Sequence, residues 1–301
     1  MSYSGSFVPL VTPFDRKGRL DLEALEILLN WHIKEGTDGI ICGATTGEGA
    51  SLTPAEKEDL ARTCIEISAK RIPILVATGT NDTAASIGNT EKAKKLGADG
   101  CLVVTPYYNK PSQKGCYLHF QEIAKVGLPI IVYHIPHRTA FRLNFETIVE
   151  LSKLPSVVAI KESSSDIELV KKIKPYIPIF SGDDDMTQSI MKEGGVGSIS
   201  VTANLIPGIW RKMVQMYLEN KWEEADFLFE KASQFFKVMF LETNPQCIKY
   251  ALSCLGKCES TLRLPLIEPE EENQQKIKTA IAQFALPQFM KDNRPLSTKA
   301  R

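Results

Sequence analysis

Eight short apolar runs, rich in β-branched residues, recur along the first two thirds of the chain, each followed by a segment with helical signals. They are Val8 to Thr12, Gly39 to Cys42, Ile74 to Thr78, Cys101 to Thr105, Ile130 to Ile135, Val157 to Glu162, Pro178 to Gly182 and Ser198 to Ala203. Their apolar residues are continuous rather than alternating, which marks strands covered on both faces and therefore a parallel sheet. Between them, Leu22, Leu25, Leu29 and Ile33 fall on one face of a first predicted helix. Thr53-Pro54-Ala55-Glu56 combines a capping box with proline at the first helical position of a second. Eight β-then-α units in about 220 residues fit a closed (β/α)8 TIM barrel of the α/β class better than an open sheet.

From Ile206 onward the pattern is helical alone: Ile209 to Leu218, Trp222 to Phe240, Pro245 to Leu255 and Glu271 to Phe284. We expect residues 1–225 to form the barrel and carry the active site, 226–290 a C-terminal helical domain, and 291–301, polar throughout its end, a flexible tail. With 301 residues and 43% apolar content, the chain can bury a core of this size.

Lysine plus arginine equals aspartate plus glutamate at 36 each, with no basic stripe, so neither nucleic acid nor an anionic membrane is an expected partner. No run approaches the ~18 apolar residues of a membrane span, and the start carries no basic-then-apolar leader, so a cytoplasmic location is expected. Seven scattered cysteines read as small reduced core residues. Cys254 and Cys258 lack a second pair, and His32, His119, His134 and His137 lack ligand spacing, so no metal is expected.

In a barrel of this kind the chemistry gathers at the carboxyl ends of the strands. Lys161 ends the sixth run, and an amine desolvated there shifts from about 10.4 toward neutrality, where it can attack a carbonyl and form a Schiff base. The alternative is a lysine that leaves the strand as the strand meets solvent. Tyr133, one strand away, is either a core aromatic or a proton carrier for the same substrate. Gly43-Ala44-Thr45-Thr46-Gly47-Glu48-Gly49 suits a turn facing a small anion, or an ordinary βα turn with a threonine cap. Arg138 is a surface charge or a fork gripping a carboxylate, and Tyr107-Tyr108 a packed turn or a catalytic pair. Asp183-Asp184-Asp185 precedes helical sequence, which favours an acidic N-cap over a cation site.

Gly43 to Glu48, Tyr107-Tyr108-Asn109-Lys110-Pro111, Tyr133 with Pro136 and Arg138-Thr139, Ile160-Lys161-Glu162, Ser181-Gly182-Asp183-Asp184 and Ser200-Val201-Thr202-Ala203-Asn204 together resemble the motifs of the dihydrodipicolinate synthase and N-acetylneuraminate lyase family. The resemblance runs from residue 5 to about 285 and includes Asn244-Pro245 and Leu262-Arg263-Leu264-Pro265. It implies a lyase without cofactor in which Lys161 forms an imine with pyruvate, and the derived enamine attacks L-aspartate 4-semialdehyde, opening the route to diaminopimelate and lysine. The resemblance further implies that Tyr133 shuttles protons, linked to Thr45 and to a Tyr108 reaching in from the neighbouring subunit of a dimer, two of which form a homotetramer. Thr45 and Thr46 would hold the pyruvate carboxylate, Arg138 that of the semialdehyde, and Gly182 and Val201 would complete the substrate site.

The alternative within the family is a pyruvate-forming aldolase acting on N-acetylneuraminate or a 2-keto-3-deoxy sugar acid; such lyases share the lysine, the tyrosine and the Gly-Thr turn but generally lack this arginine. A catalytically silent barrel that binds a keto acid or a protein should have lost at least one of these residues. The chain departs from the synthase pattern at His134, usually asparagine, and Ala140, usually glycine. Asn81 and Tyr107 match the family's allosteric lysine site, whereas Gly49, Pro54, Lys57 and Ala85 replace its polar, histidine or glutamate groups, which implies weak or absent inhibition by lysine.

Overall fold

The recurrent apolar runs become strands with two dry faces. The computed structural model describes residues 3–283. Among them, the elements run β1 (Gly5–Pro9), α1 (Leu22–Lys34), β2 (Gly39–Cys42), α2 (Pro54–Ser68), β3 (Ile74–Ala77), α3 (Thr83–Leu96), β4 (Gly100–Val104), α4 (Gln113–Ala124), β5 (Ile130–His134), the single turn α5 (Pro136–Thr139), α6 (Phe145–Ser152), β6 (Val157–Glu162), α7 (Ile167–Ile173), β7 (Ile179–Ser181), α8 (Thr187–Lys192), β8 (Gly197–Ile199), α9 (Pro207–Leu218), α10 (Trp222–Met239), α11 (Gln246–Cys254) and α12 (Glu271–Gln283). The strands pair in parallel in chain order, and β8 closes on β1. This is the expected (β/α)8 barrel, followed by C-terminal helices.

Successive strand side chains point to opposite faces, so each run divides its residues between two cores. Ile40, Ile74, Cys101, Ile130, Val132 and Ile160 pack outward against the helices. Phe7, Ile41, Leu75, Leu102, Ile131, Ala159, Phe180 and Ile199 fill the barrel interior. Phe7 and Phe180 meet edge to face with centroids 5.3 Å apart. The Phe7 ring needs Gly39 as its ladder partner, because a Cβ there would fall 2.2 Å from Phe7 Cε1. Burial of each such large side chain contributes about 1.5–3 kcal/mol.

Two strands differ from expectation by more than one residue. β1 begins at Gly5 and ends at Pro9, three residues before Thr12. Gly5 and Ser6 carry little apolar signal, yet Gly5 pairs with Gly197, where a Cβ would lie 2.1 Å from the Gly5 carbonyl oxygen. Likewise β8 stops at Ile199, and Thr202–Asn204 forms a 3₁₀ turn. Side chains capture its backbone: Asp184 Oδ2 accepts from Thr202 N at 2.8 Å, while Asn204 bonds Val11 N and Pro9 O at 3.1 Å each. The buried face of α1 also differs. It comprises Ala24, Leu25, Leu28, Leu29 and His32, leaving Leu22 exposed at the edge. The capping box at Thr53 and Glu56 forms as expected.

α9 packs on the barrel and α10 on α9. Trp210, Phe235 and Phe236 belong to the same apolar cluster as the outward strand residues, so barrel and extension share one core. The expected division after residue 225 falls inside α10. Phe284 and the expected tail 291–301 lie outside the described residues.

Candidate active site

Strand parity decides where Lys161 goes. Ile160 faces the helices, so Ala159 and Lys161 face the barrel axis, and Lys161 sits at the carboxyl end of β6. Its side chain is only 4% exposed, and its Nζ lies 4.1 Å from the ring centroid of Tyr133, its ladder partner on β5. Burial lowers its pKa to about 8; Asp183 and Asp184 pull it back up, and Arg138 adds to the lowering. The lowered pKa gives the amine a minor free fraction near neutral pH, far larger than an ordinary lysine has, as nucleophilic attack requires.

Tyr133 is buried, and its phenol is pushed above the usual tyrosine range, first by desolvation and then by the Asp183 charge. Arg138 and the hydroxyls of Thr45 and Ser163 oppose that shift. Thr45 is presented by a turn that folds back on itself: Glu48 N donates to Thr45 O at 3.0 Å and Gly49 N to Ala44 O at 3.1 Å. Gly49 permits this closure, since a Cβ there would lie 1.9 Å from the Gly43 carbonyl oxygen. Thr46 is turned to the C-terminal helices instead, where its Oγ1 accepts from Asn244 Nδ2 at 3.0 Å.

Arg138 on α5 is exposed and lines, with Thr45, Tyr133 and Thr139, a cavity of about 390 Å³. The cavity continues past Lys57, Thr80 and Tyr107 to Asn244 and Arg263. Tyr108 does not line it: the residue is 88% exposed, with φ of 72°. Gly182 touches Lys161, and a Cβ there would lie 2.8 Å from Lys161 Cε. Val201 is buried in the turn after β8 and is not among the cavity's lining residues.

His134 points away from the axis. Leu143 N donates to His134 Nε2 at 3.1 Å, which leaves Nδ1 to carry the hydrogen and donate to Glu162 Oε2 at 2.8 Å. Glu162 Oε1 accepts from Ser164 N at 2.7 Å. This buried group braces the segment carrying Arg138. Ala140 ends α5 in the left-handed region, with φ of 53°.

The acidic triplet is not an N-cap. Met186 occupies that position in α8, with no side-chain cap. Asp184 is buried and caps the Thr202 turn, whereas Asp183 faces Lys161, and burial raises its carboxyl to about 6. The reason is competition for the carboxylate, since the backbone of the Thr202 turn takes Asp184 in place of the helix end.

Sequence reasoning did not single out Lys249, whose Nζ donates to buried Glu48 at 2.6 Å. The signal is present, because Lys249 is one charge amid Cys247-Ile248 and Tyr250-Ala251-Leu252. Six of the seven cysteines are buried, and all seven are free; Cys254 is exposed.

A closed (β/α)8 barrel presenting a desolvated lysine beside a tyrosine defines the class of barrels equipped for imine chemistry. The sequence profile of the dihydrodipicolinate synthetase family matches residues 2–284. The chain belongs to that family. It is 42% identical over 291 residues to the 4-hydroxy-tetrahydrodipicolinate synthase of Syntrophotalea carbinolica, covering 95% of this chain and 99% of that one. The dihydrodipicolinate synthase crystal structure from Aquifex aeolicus superposes with a TM-score of 0.93 at 38% identity, covering 95% and 99% of the two chains. The chloride-inhibited dihydrodipicolinate synthase from Acinetobacter baumannii, complexed with pyruvate, gives 0.92 at 37%, covering 93% and 98%.

Proposed function

We propose that the chain condenses pyruvate with L-aspartate 4-semialdehyde, the activity of a 4-hydroxy-tetrahydrodipicolinate synthase. The observation that carries this reading is Lys161, buried at the end of β6 against Tyr133 with its pKa near 8. The free amine adds to the pyruvate ketone. The resulting carbinolamine loses its hydroxyl as water, taking the Tyr133 proton, and the nitrogen lone pair completes the iminium. The methyl C–H bond then breaks, its electron pair forms the enamine double bond, and the phenolate recovers a proton. The enamine carbon attacks the aldehyde, and the amino group of the adduct displaces Lys161 as the ring closes.

Thr45 supports the phenol, and Thr45 with the backbone N–H of Thr46 holds the pyruvate carboxylate. Thr46 acts from the turn pinned by Asn244, Gly182 leaves room beside the Lys161 side chain, and Val201 supports the site from behind the turn after β8. Arg138, at the cavity mouth, receives the carboxylate of the semialdehyde. Tyr108, exposed and with a left-handed backbone, suits a residue completed by a second subunit, and the family resemblance supports a homotetramer built as a dimer of dimers. Among the described residues no helix is long and apolar enough to cross a membrane. A cytoplasmic location accords with seven free cysteines, six of them buried.

Borohydride reduction with pyruvate, followed by peptide mass analysis, tests the reading. A pyruvate-derived adduct on Lys161, with turnover of semialdehyde plus pyruvate, is expected. An unmodified Lys161 removes every imine mechanism, while cleavage of N-acetylneuraminate or a keto-deoxy sugar acid in place of condensation assigns the aldolase activity.

A further inference from the structure

Ser163 follows the reactive lysine by two residues, so the same strand parity that turns Lys161 inward also turns Ser163 inward. The residue is buried at 1% exposure, and its Oγ has no hydrogen-bond partner among the described residues. Buried hydroxyls are ordinarily satisfied, so an orphan at this place calls for a physical reason. Its backbone is held, with Ser163 N donating to His134 O at 2.9 Å, but the hydroxyl is free to rotate. The missing side chain of Gly182 makes its space: a Cβ there would lie 2.0 Å from Ser163 Oγ and 2.8 Å from Lys161 Cε. Two acidic groups face the hydroxyl, the Tyr133 phenol from β5 and the Asp183 carboxyl from the turn after β7.

We propose that Ser163 is a positioning residue whose rotating hydroxyl donates to the Asp183 carboxylate while Tyr133 is neutral and swings to the Tyr133 phenolate when that phenol has given up its proton. The inference rests on the imine reading above, since the phenolate arises in that cycle. Burial and the Asp183 charge both disfavour phenolate, and Thr45 supplies one compensating donor. Ser163 supplies the second by turning from Asp183 to the phenolate at the moment it is needed. Charge-assisted hydrogen bonds of this kind are the strong ones. The charged and titratable groups around the pair are Lys161 on β6, Arg138 and His137 on α5, and Asp184 and Asp185 beside Asp183.

The test separates imine formation from proton transfer. In D2O with pyruvate alone, exchange of methyl hydrogen for deuterium, followed by NMR, reads the proton step. Borohydride trapping on Lys161 reads imine formation. Ser163→Ala is expected to trap pyruvate at the same half-saturating concentration as the parent protein while exchanging roughly tenfold more slowly. Ser163→Thr, which keeps a hydroxyl, is expected to restore exchange. Parent-like exchange in Ser163→Ala overturns the proposal, and so does slow exchange in both variants with normal trapping. Loss of trapping in Ser163→Ala shows instead that the residue places Lys161, which also overturns it. Failure of the parent protein itself to trap pyruvate brings down the imine reading and this inference with it.

Discussion

Lys249 Nζ lies 2.6 Å from Glu48 Oε1, with both side chains sealed from solvent and their residues 201 positions apart in the chain. The other Glu48 oxygen accepts from Arg263 N at 3.0 Å, and Lys249 rests over the Phe14 ring, 4.1 Å from its centroid. The Glu48 turn also carries Thr45 and Thr46, and Asn244 holds it from the same C-terminal segment. The C-terminal helices therefore fix the geometry of the turn that faces Tyr133.

Removing one member of this pair leaves a buried charge without its partner. Lys249→Met is expected to cost about 3–5 kcal/mol of stability, whereas Glu48→Gln combined with Lys249→Met recovers most of it. Urea unfolding of the three proteins checks this, and a double variant no more stable than the single one contradicts it.

Only the neutral Lys161 amine attacks a ketone, and its pKa is lowered to about 8. Below that pH the protonated form dominates, so the initial rate of pyruvate trapping should fall about tenfold per pH unit and level off above it. Rapid-quench borohydride trapping across pH measures the curve. A midpoint near the ordinary lysine value of about 10.4 means that burial does not depress the amine.

Arg138 is exposed on α5 and lines the cavity beside Tyr133 and Thr139. Arg138→Ala should raise the KM for aspartate semialdehyde roughly 10- to 100-fold through loss of a charge-assisted contact, with pyruvate trapping retained. Arg138→Lys should recover only part, because the ammonium lacks the planar fork. Equal losses for both substrates would place Arg138 elsewhere in the mechanism.

Ala140 occupies a left-handed conformation with φ of 53°, where its Cβ is crowded by its own carbonyl. Ala140→Gly should stabilise the protein by about 1 kcal/mol and raise the denaturant midpoint. A lower midpoint would mean that the gain in unfolded-chain entropy outweighs the relieved strain.

Much of the site is legible in the order of residues alone. Lys161 and Tyr133 lie in strands with strong local signals, and their inward direction follows from counting residues along each run. Arg138 is legible as a cation just beyond a strand end. The true limits of β1 and β8 are not, because Gly5 and Gly197 serve a close backbone approach that carries no apolar signature. The acidic triplet misleads for a related reason. A helix follows it, but the polar backbone of the Thr202 turn competes for Asp184 and wins.

The sequence by itself determined the barrel, the lysine and the strand end on which that lysine stands. Periodicity and parity act between near neighbours, and they are written directly along the chain. Only the tertiary structure decided that Glu48 is neutralised by Lys249, that His134 braces a loop instead of facing the substrate cavity, and that Ser163 shares one space with Lys161 beside Gly182. Those relationships depend on which groups are left together when solvent is excluded, and that is settled by the packing of distant segments.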